Sequence, residues 1–349
     1  MHENRNEIGC ADRQQCRIDW IDFAKGLTIM LVVIGHSVHG ALRGAIFSFH
    51  MPLFFILSSL TYRSSSDVSE FKQKTKKAYV HLVIPALVLF GLGTVIEILE
   101  MVLTGTYPDC RDYVLGKLLT ILFASGARFF IGEMEITRLG IPWILIALFF
   151  GRTLFDWIHL RVKGKVLSVG CIFLTVVGIA IGQKWWLPMS LDIALASVFF
   201  LLWGQWMKNA DVQRRPALQM LIAMLIWAVT LLIMKCLTNT YLEMAMRRYP
   251  LFPLCYVTAI TGTWLISAFS VLVTRYAGAL TKPILFCGKN SLLLCVHTVD
   301  YLWEQAYTAF GGREIVSGVI RLVLDFFIFA VAANFWNWWK RRTKVEEGR

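Results

Sequence analysis

Charge is what this chain has least of. Asp, Glu, Lys and Arg make up 17% of its 349 residues, where soluble proteins carry roughly a quarter. A soluble domain of this length needs a charged shell, so the shortfall excludes one. An apolar leader is also lacking: the first 20 residues, MHENRNEIGCADRQQCRIDW, contain no h-region, so no cleavable signal peptide is read there. Paired cysteines are missing too. Cys10, Cys16, Cys110, Cys171, Cys236, Cys255, Cys287 and Cys295 form no CxxC motif and mostly lie in apolar stretches. They read as small hydrophobes, with neither a zinc site nor a disulfide framework, and no metal is expected. No internal repeat is visible, which argues against a transporter built from inverted repeats.

What the chain has instead is oil. Hydrophobic residues reach 57%, the mean hydropathy is +0.59, and the apolar residues come in blocks such as Tyr79 to Leu103 and Ala217 to Met234. About 20 apolar residues cross a hydrocarbon core. The pattern predicts an all-α polytopic membrane bundle of about ten transmembrane helices at 22–42, 44–62, 78–104, 140–160, 166–183, 188–207, 217–234, 253–274, 282–305 and 316–339. The expected layout is a cytoplasmic tail over 1–21, one membrane domain over 22–339 and a basic cytoplasmic tail over 340–349. Threading the spans from a cytoplasmic N-terminus gathers Arg63, Lys72 to Lys77, Arg161, Lys163, Lys165, Lys208, Arg214, Arg215, Arg275, Lys282 and Lys340 to Arg349 on one side. This excess, roughly two to one over the other side, follows the positive-inside rule and places both termini in the cytoplasm. The net charge of +12 is thereby assigned to cytoplasmic loops rather than to nucleic-acid binding. The longest external connection, 104–139, contains a stretch, 118–124, too short to span and expected to be interfacial or re-entrant.

Two segments carry chemistry. The first span reads IDWIDFAKGLTIMLVVIGHSVHG, with Lys25 and His36 eleven residues apart. At about 100° per residue that is three turns plus roughly 20°, which puts both on one helix face, about 16 Å apart. Asp22 and His39 fall on the same stripe. Charged groups inside a span are costly and point to function. On spacing alone, a snorkelling lysine and a histidine bonded between helices account for the pattern equally well. The second span begins FSFHMPLFFILSSL, which places His50 at its external end beside Pro52, a residue able to start or kink a helix.

Together these segments resemble the acyltransferase-3 superfamily of membrane O-acyltransferases, especially its fucose 4-O-acetylase-like branch. The likeness is carried by a basic residue, ten positions and a His (Lys25 to His36), and by an FF-x-x-SG-type motif (Phe54-Phe55-Ile56-Leu57-Ser58-Ser59). It continues in the basic run that leads into an apolar helix (Lys72 to Pro85), in Pro142-Trp143, and in Gly288-Lys289-Asn290-Ser291 with His297. Two departures stand out. Ser59 occupies a position where glycine is usual, and Lys74, Lys76, Lys77 and His81 stand in for paired arginines.

The resemblance implies transfer of an acetyl group from cytoplasmic acetyl-CoA to a hydroxyl of a cell-surface glycan or its lipid-linked precursor, in a bacterial plasma membrane. His36 is then the general base and Lys25 the cation at the donor site. Lys72, Lys74, Lys76, Lys77, His81 and Arg152 would contact the donor, while His50, Ser58 and His297 would support the acceptor. A histidine titrating near neutrality suits proton removal from a sugar hydroxyl. The other intramembrane charges read as structural i,i+4 pairs, Arg152 with Asp156 and Arg321 with Asp325; Arg152 is the exception because of its family-like position. The same pattern occurs in the membrane halves of vancomycin-resistance serine racemases, so a transport or sensing domain is the alternative expectation.

Overall fold

The computed structural model describes residues 18–290 and, in part, 316–334. Apart from one small hairpin it is helical there. Helices α1 (Asp19–Ser37), α2 (Gly40–Phe47), α3 (His50–Leu60) and α4 (Val68–Ala78) open the chain. A single π-turn over Tyr79–Val83 joins α4 to α5 (Ile84–Thr104). Then come α6 (Cys110–Phe123), the antiparallel strands β1 (Phe129–Ile131) and β2 (Met134–Ile136), α7 (Trp143–Arg161), α8 (Gly164–Gly182) and α9 (Leu191–Asn209). Helices α10 (Pro216–Thr238), α11 (Leu254–Tyr276) and the short α12 (Lys282–Lys289) follow, and 316–334 is helical where it is described.

Helix ends are where local chemistry puts them. Asp67 accepts the Glu70 amide at 2.9 Å while the Glu70 carboxylate reaches back to the Ser66 amide at 2.7 Å, a reciprocal cap on α4. Pro216 opens α10, where its missing N–H costs nothing. Gly105, at φ 70°, ends α5 in the left-handed conformation that glycine adopts without strain.

Eight helical segments are long and apolar enough to cross a membrane, and they match the first eight expected spans. The ninth, 282–305, is helical over Lys282–Lys289, and the rest of it lies outside the described residues. That short helix runs antiparallel to α1. Lys289 is 4.0 Å from Asp19, while the backbone of Gly288 abuts Asp22 and that of Ile284 abuts Gly26. A ninth span entering from the same side as α1 would instead run parallel to it. The tenth, 316–339, is described only in part.

Two sequence expectations are corrected. The second span is not one helix: it breaks at Ser48–Phe49 into α2 and α3, and His50 opens α3. Pro52 explains the break, since its ring conflicts with the carbonyl four residues earlier, that of Ser48. The indole of Trp227 on α10 donates to the Ser48 hydroxyl at 3.1 Å and occupies the gap. His39 leaves the Lys25 stripe because α1 ends at Ser37 and Val38 is extended. The stretch 118–124, expected to be too short to span, forms the end of α6 and its C-cap Ala124, and α6 as a whole is a 14-residue helix shorter than a span.

Helix α9 is the centre of the bundle, touching α3, α7 and α8, while α10 packs on α11 and α11 packs on α1. Close approach depends on small residues. At Gly204 a side chain would collide with the Ile56 carbonyl and the Ser59 side chain of α3, and at Gly178 one would collide with the backbone of Ala196 on α9. By contrast α5 and α10 turn large apolar side chains outward along their length, including Leu92, Leu99, Leu103, Leu225, Leu232 and Leu237. In a membrane these face lipid tails.

Candidate functional site

Short connections make neighbouring spans antiparallel, so helix ends collect in two layers. One layer holds Arg63, Lys72 to Lys77, Arg161, Lys163, Lys165, Lys208, Arg214 and Arg215 and is called here the basic end. The opposite end holds the close of α1, the start of α2, the 105–142 segment and the 239–253 loop.

At the opposite end Phe47 is a hub. His36 meets its ring edge-on at 5.2 Å, His50 lies at 4.6 Å on the next helix, the Arg43 guanidinium sits 4.9 Å over it, and Tyr241 closes at 5.9 Å. Gly35 and Gly44 make this possible, because a side chain on the first would strike Phe47 and one on the second would press on Tyr241. His36 is exposed at the rim. His50 is buried against the Phe47 and Ile46 backbone, and its Nδ1 meets no partner in good hydrogen-bond geometry; Arg43 bonds the Tyr241 hydroxyl, while its Nε is buried without a partner. Buried polar atoms of this kind are uncommon in folded proteins and call for an explanation. Glu243 lies behind Tyr241, 3.6 Å from Arg248. Burial raises the Glu243 carboxyl above its ordinary pKa, an effect opposed by the charges of Arg43 and Arg248.

Arg321 joins the same end. Its guanidinium donates to the Ser37 hydroxyl at 3.3 Å and stands 3.9 Å from Asp325, so the expected i,i+4 pair forms and also ties the last described segment to the residue after His36. Lys25 sits half-buried on α1. Since α1 is unbroken from Asp19 to Ser37, Lys25 and His36 differ in depth by the expected 16 Å or so.

The basic end has its own hub, Tyr62. The Arg152 guanidinium lies 5.1 Å from its ring centre and the Lys74 ammonium 5.6 Å. Lys74 also binds Glu70 at 2.8 Å and the Arg63 carbonyl at 2.9 Å. The expected Arg152–Asp156 ion pair is not formed. Asp156 instead accepts from the Ser65 amide at 2.9 Å and the Ser65 hydroxyl at 2.6 Å. Burial, with the Asp156 carboxylate beside it, pushes the Tyr62 phenol up. Lys72, Lys76, Lys77 and His81 are exposed on α4 and the π-turn. The structure thus joins Lys74 to Arg152 and leaves the other four facing outward nearby.

The two serines of the second motif bond differently. The Ser58 hydroxyl donates to its own helix at the Phe55 carbonyl, 2.8 Å. Ser59 does the inter-helix work, donating to the Leu201 carbonyl at 2.6 Å, while the Gln205 amide donates to the Ser59 carbonyl at 2.6 Å. The α3–α9 contact therefore takes its glycine from Gly204 on α9 and its hydrogen bond from Ser59. His297 lies outside the described residues.

Arg43, Phe47, Tyr241 and Glu243 were missed in the sequence. Arg43, between two histidines of consecutive spans, was the available signal. No protein-family model matches the chain, and no curated protein matches it either. The likeness to membrane O-acyltransferases therefore rests on the motif residues themselves.

Proposed function

We propose that this chain is a membrane O-acyltransferase that moves an acetyl group from acetyl-CoA at the basic end to a hydroxyl of a glycan, or of its lipid-linked precursor, at the opposite end. In this reading the basic end and both termini are cytoplasmic, and the membrane is a bacterial plasma membrane. The observation that carries it is the Phe47 hub: an exposed His36, on the same unbroken helix as Lys25, gathered with His50, Arg43 and Tyr241 around one ring.

The chemistry follows from those positions. His36 takes the proton of the acceptor hydroxyl as its oxygen attacks the thioester carbonyl. The carbon–oxygen bond forms, the carbon–sulfur bond breaks, and CoA leaves as its thiolate. Arg43 and His50 supply hydrogen-bond donors for the acceptor. Lys25, nearer the donor side, balances negative charge along the donor's path, and the cations around Tyr62 together with Lys72, Lys76, Lys77 and His81 hold phosphate.

The test is reconstitution in liposomes with radiolabelled acetyl-CoA and surface polysaccharide, followed by mass spectrometry for acetylated sugars. Label appearing on the glycan is the expected result. Thermal protection by an amino-acid solute, with none by acetyl-CoA and no label transferred, would overturn the reading in favour of transport or sensing.

A further inference from the structure

A cavity of about 380 Å³ opens at the basic end between α7, α8 and α9. Small-molecule sites occupy roughly 300–1,000 Å³, so its size suits a ligand. Its lining combines three kinds of group. His159 and Lys208 supply basic side chains, Trp206 presents an indole that is 41% exposed, and Ser168, Gln205 and Asn209 supply hydrogen-bonding groups. No carboxylate belongs to the described lining. Arg161, Lys163 and Lys165 flank the cavity on the turn from α7 to α8.

An interfacial anchor would account for the tryptophan alone. It does not account for a concavity with two amides, a hydroxyl and two basic side chains converging beside that ring. A flat π-face, amide edges and basic groups together match a purine that carries phosphate. The cavity also shares one residue with the surroundings of the Tyr62 hub. Gln205 lines it while donating to the Ser59 and Tyr62 carbonyls at 2.6 and 3.4 Å. Arg152 and His159 share a face of α7, seven residues or about 10 Å apart.

We propose that this cavity is a purine-nucleotide site, with Trp206 stacking the base and Lys208 and His159 holding phosphate. It rests on the acetyl-CoA reading for the identity of the nucleotide, which is the phosphorylated adenosine end of the donor.

The experiment uses the full chain in nanodiscs of zwitterionic lipid and titrates adenosine 3′,5′-bisphosphate calorimetrically. Saturable binding is expected, weakened about tenfold or more by Lys208→Gln and by Trp206→Ala. Trp206→Phe should retain most of the affinity, which separates loss of stacking from loss of folding, and inorganic phosphate should compete only weakly. Unchanged bisphosphate binding in Lys208→Gln and Trp206→Ala overturns the site. So does a lack of nucleotide binding with Lys208-dependent stabilisation by phosphatidylglycerol, which would mark a lipid headgroup site. The two readings fail separately. Nucleotide binding at this cavity without acetyl transfer retains the site and removes the acyltransferase. Transfer with the donor KM unchanged by these variants retains the enzyme and removes the site.

Discussion

Two ion pairs, one at each end of the molecule, hold charge in opposite ways. At the basic end the Lys74–Glu70 pair has side chains 30% and 39% exposed, and Lys72, Lys76, Lys77 and His81 also face outward. At the opposite end Arg247 and Asp192 are 2% and 0% exposed, joined at 2.7 Å, with the guanidinium also donating to the Ser125 hydroxyl and the Ala245 carbonyl at 2.9 Å each. Trp186 covers that guanidinium at 3.8 Å. This one arginine fastens the 239–253 loop to the head of α9 and to the 105–142 segment. Exposed pairs contribute about 0–1 kcal/mol, whereas breaking a buried pair costs about 3–5 kcal/mol. The Arg247–Asp192 pair is therefore a buried brace at the opposite end, while the Lys74–Glu70 pair is a solvent-screened contact at the basic end.

The sharpest way to test that contrast is to remove the exposed His36 from the end that holds the buried pair. His36→Ala should lower acetyl transfer by at least about 10²-fold while leaving the thermal midpoint near wild type, since its side chain is exposed; full turnover at neutral pH would remove His36 as base. Next in size, Asp192→Asn should cost about 3–5 kcal/mol by stranding Arg247, and Glu70→Gln at the basic end no more than about 1 kcal/mol. Thermal unfolding monitored by size-exclusion chromatography compares the two, and equal losses would break the distinction between the ends.

Replacing Lys72, Lys74, Lys76 and Lys77 together with glutamine should raise the acetyl-CoA KM severalfold and flatten its salt dependence, because exposed charges are screened. A rise in the acceptor KM alone would show that the lysines were misplaced. The smallest effect belongs to Glu243. Its folded pKa is raised, so the stability it contributes is fully present at low pH, below its unfolded value, and is lost as pH rises through the elevated value. Glu243→Gln should flatten that pH dependence, and an unchanged stability profile between pH 4 and 8, on the order of that titration range, would count against it.

The eight spans were legible because long apolar runs have one stable use. The shared face of Lys25 and His36 was legible because it depends only on helical period. The Phe47 hub was not, since it needs the break after α2 and a loop some 200 residues away that brings Tyr241 onto Gly44. Pro52 marked the break locally; nothing local marked Tyr241. Arg152 and Asp156 show the other limit. Their spacing permits a pair, but Ser65 takes the carboxylate and Tyr62 the guanidinium, and neither competitor lies on α7. Arg321 and Asp325 have the same spacing, and there the pair forms.

The bare flanks of α5 and α10 have a consequence for how such a chain ages. A side chain whose only neighbour is fluid hydrocarbon has no shape to match, so Leu92 or Leu225 can exchange with Ile, Val or Phe at little cost to the fold. Gly204 and Gly178, pressed against backbone, have no such licence. Substitutions should therefore accumulate fastest on the outward faces of these two helices, and a descendant chain would blur first along its longest apolar stretches. Its relatedness would survive longest in a few glycines and buried polar residues.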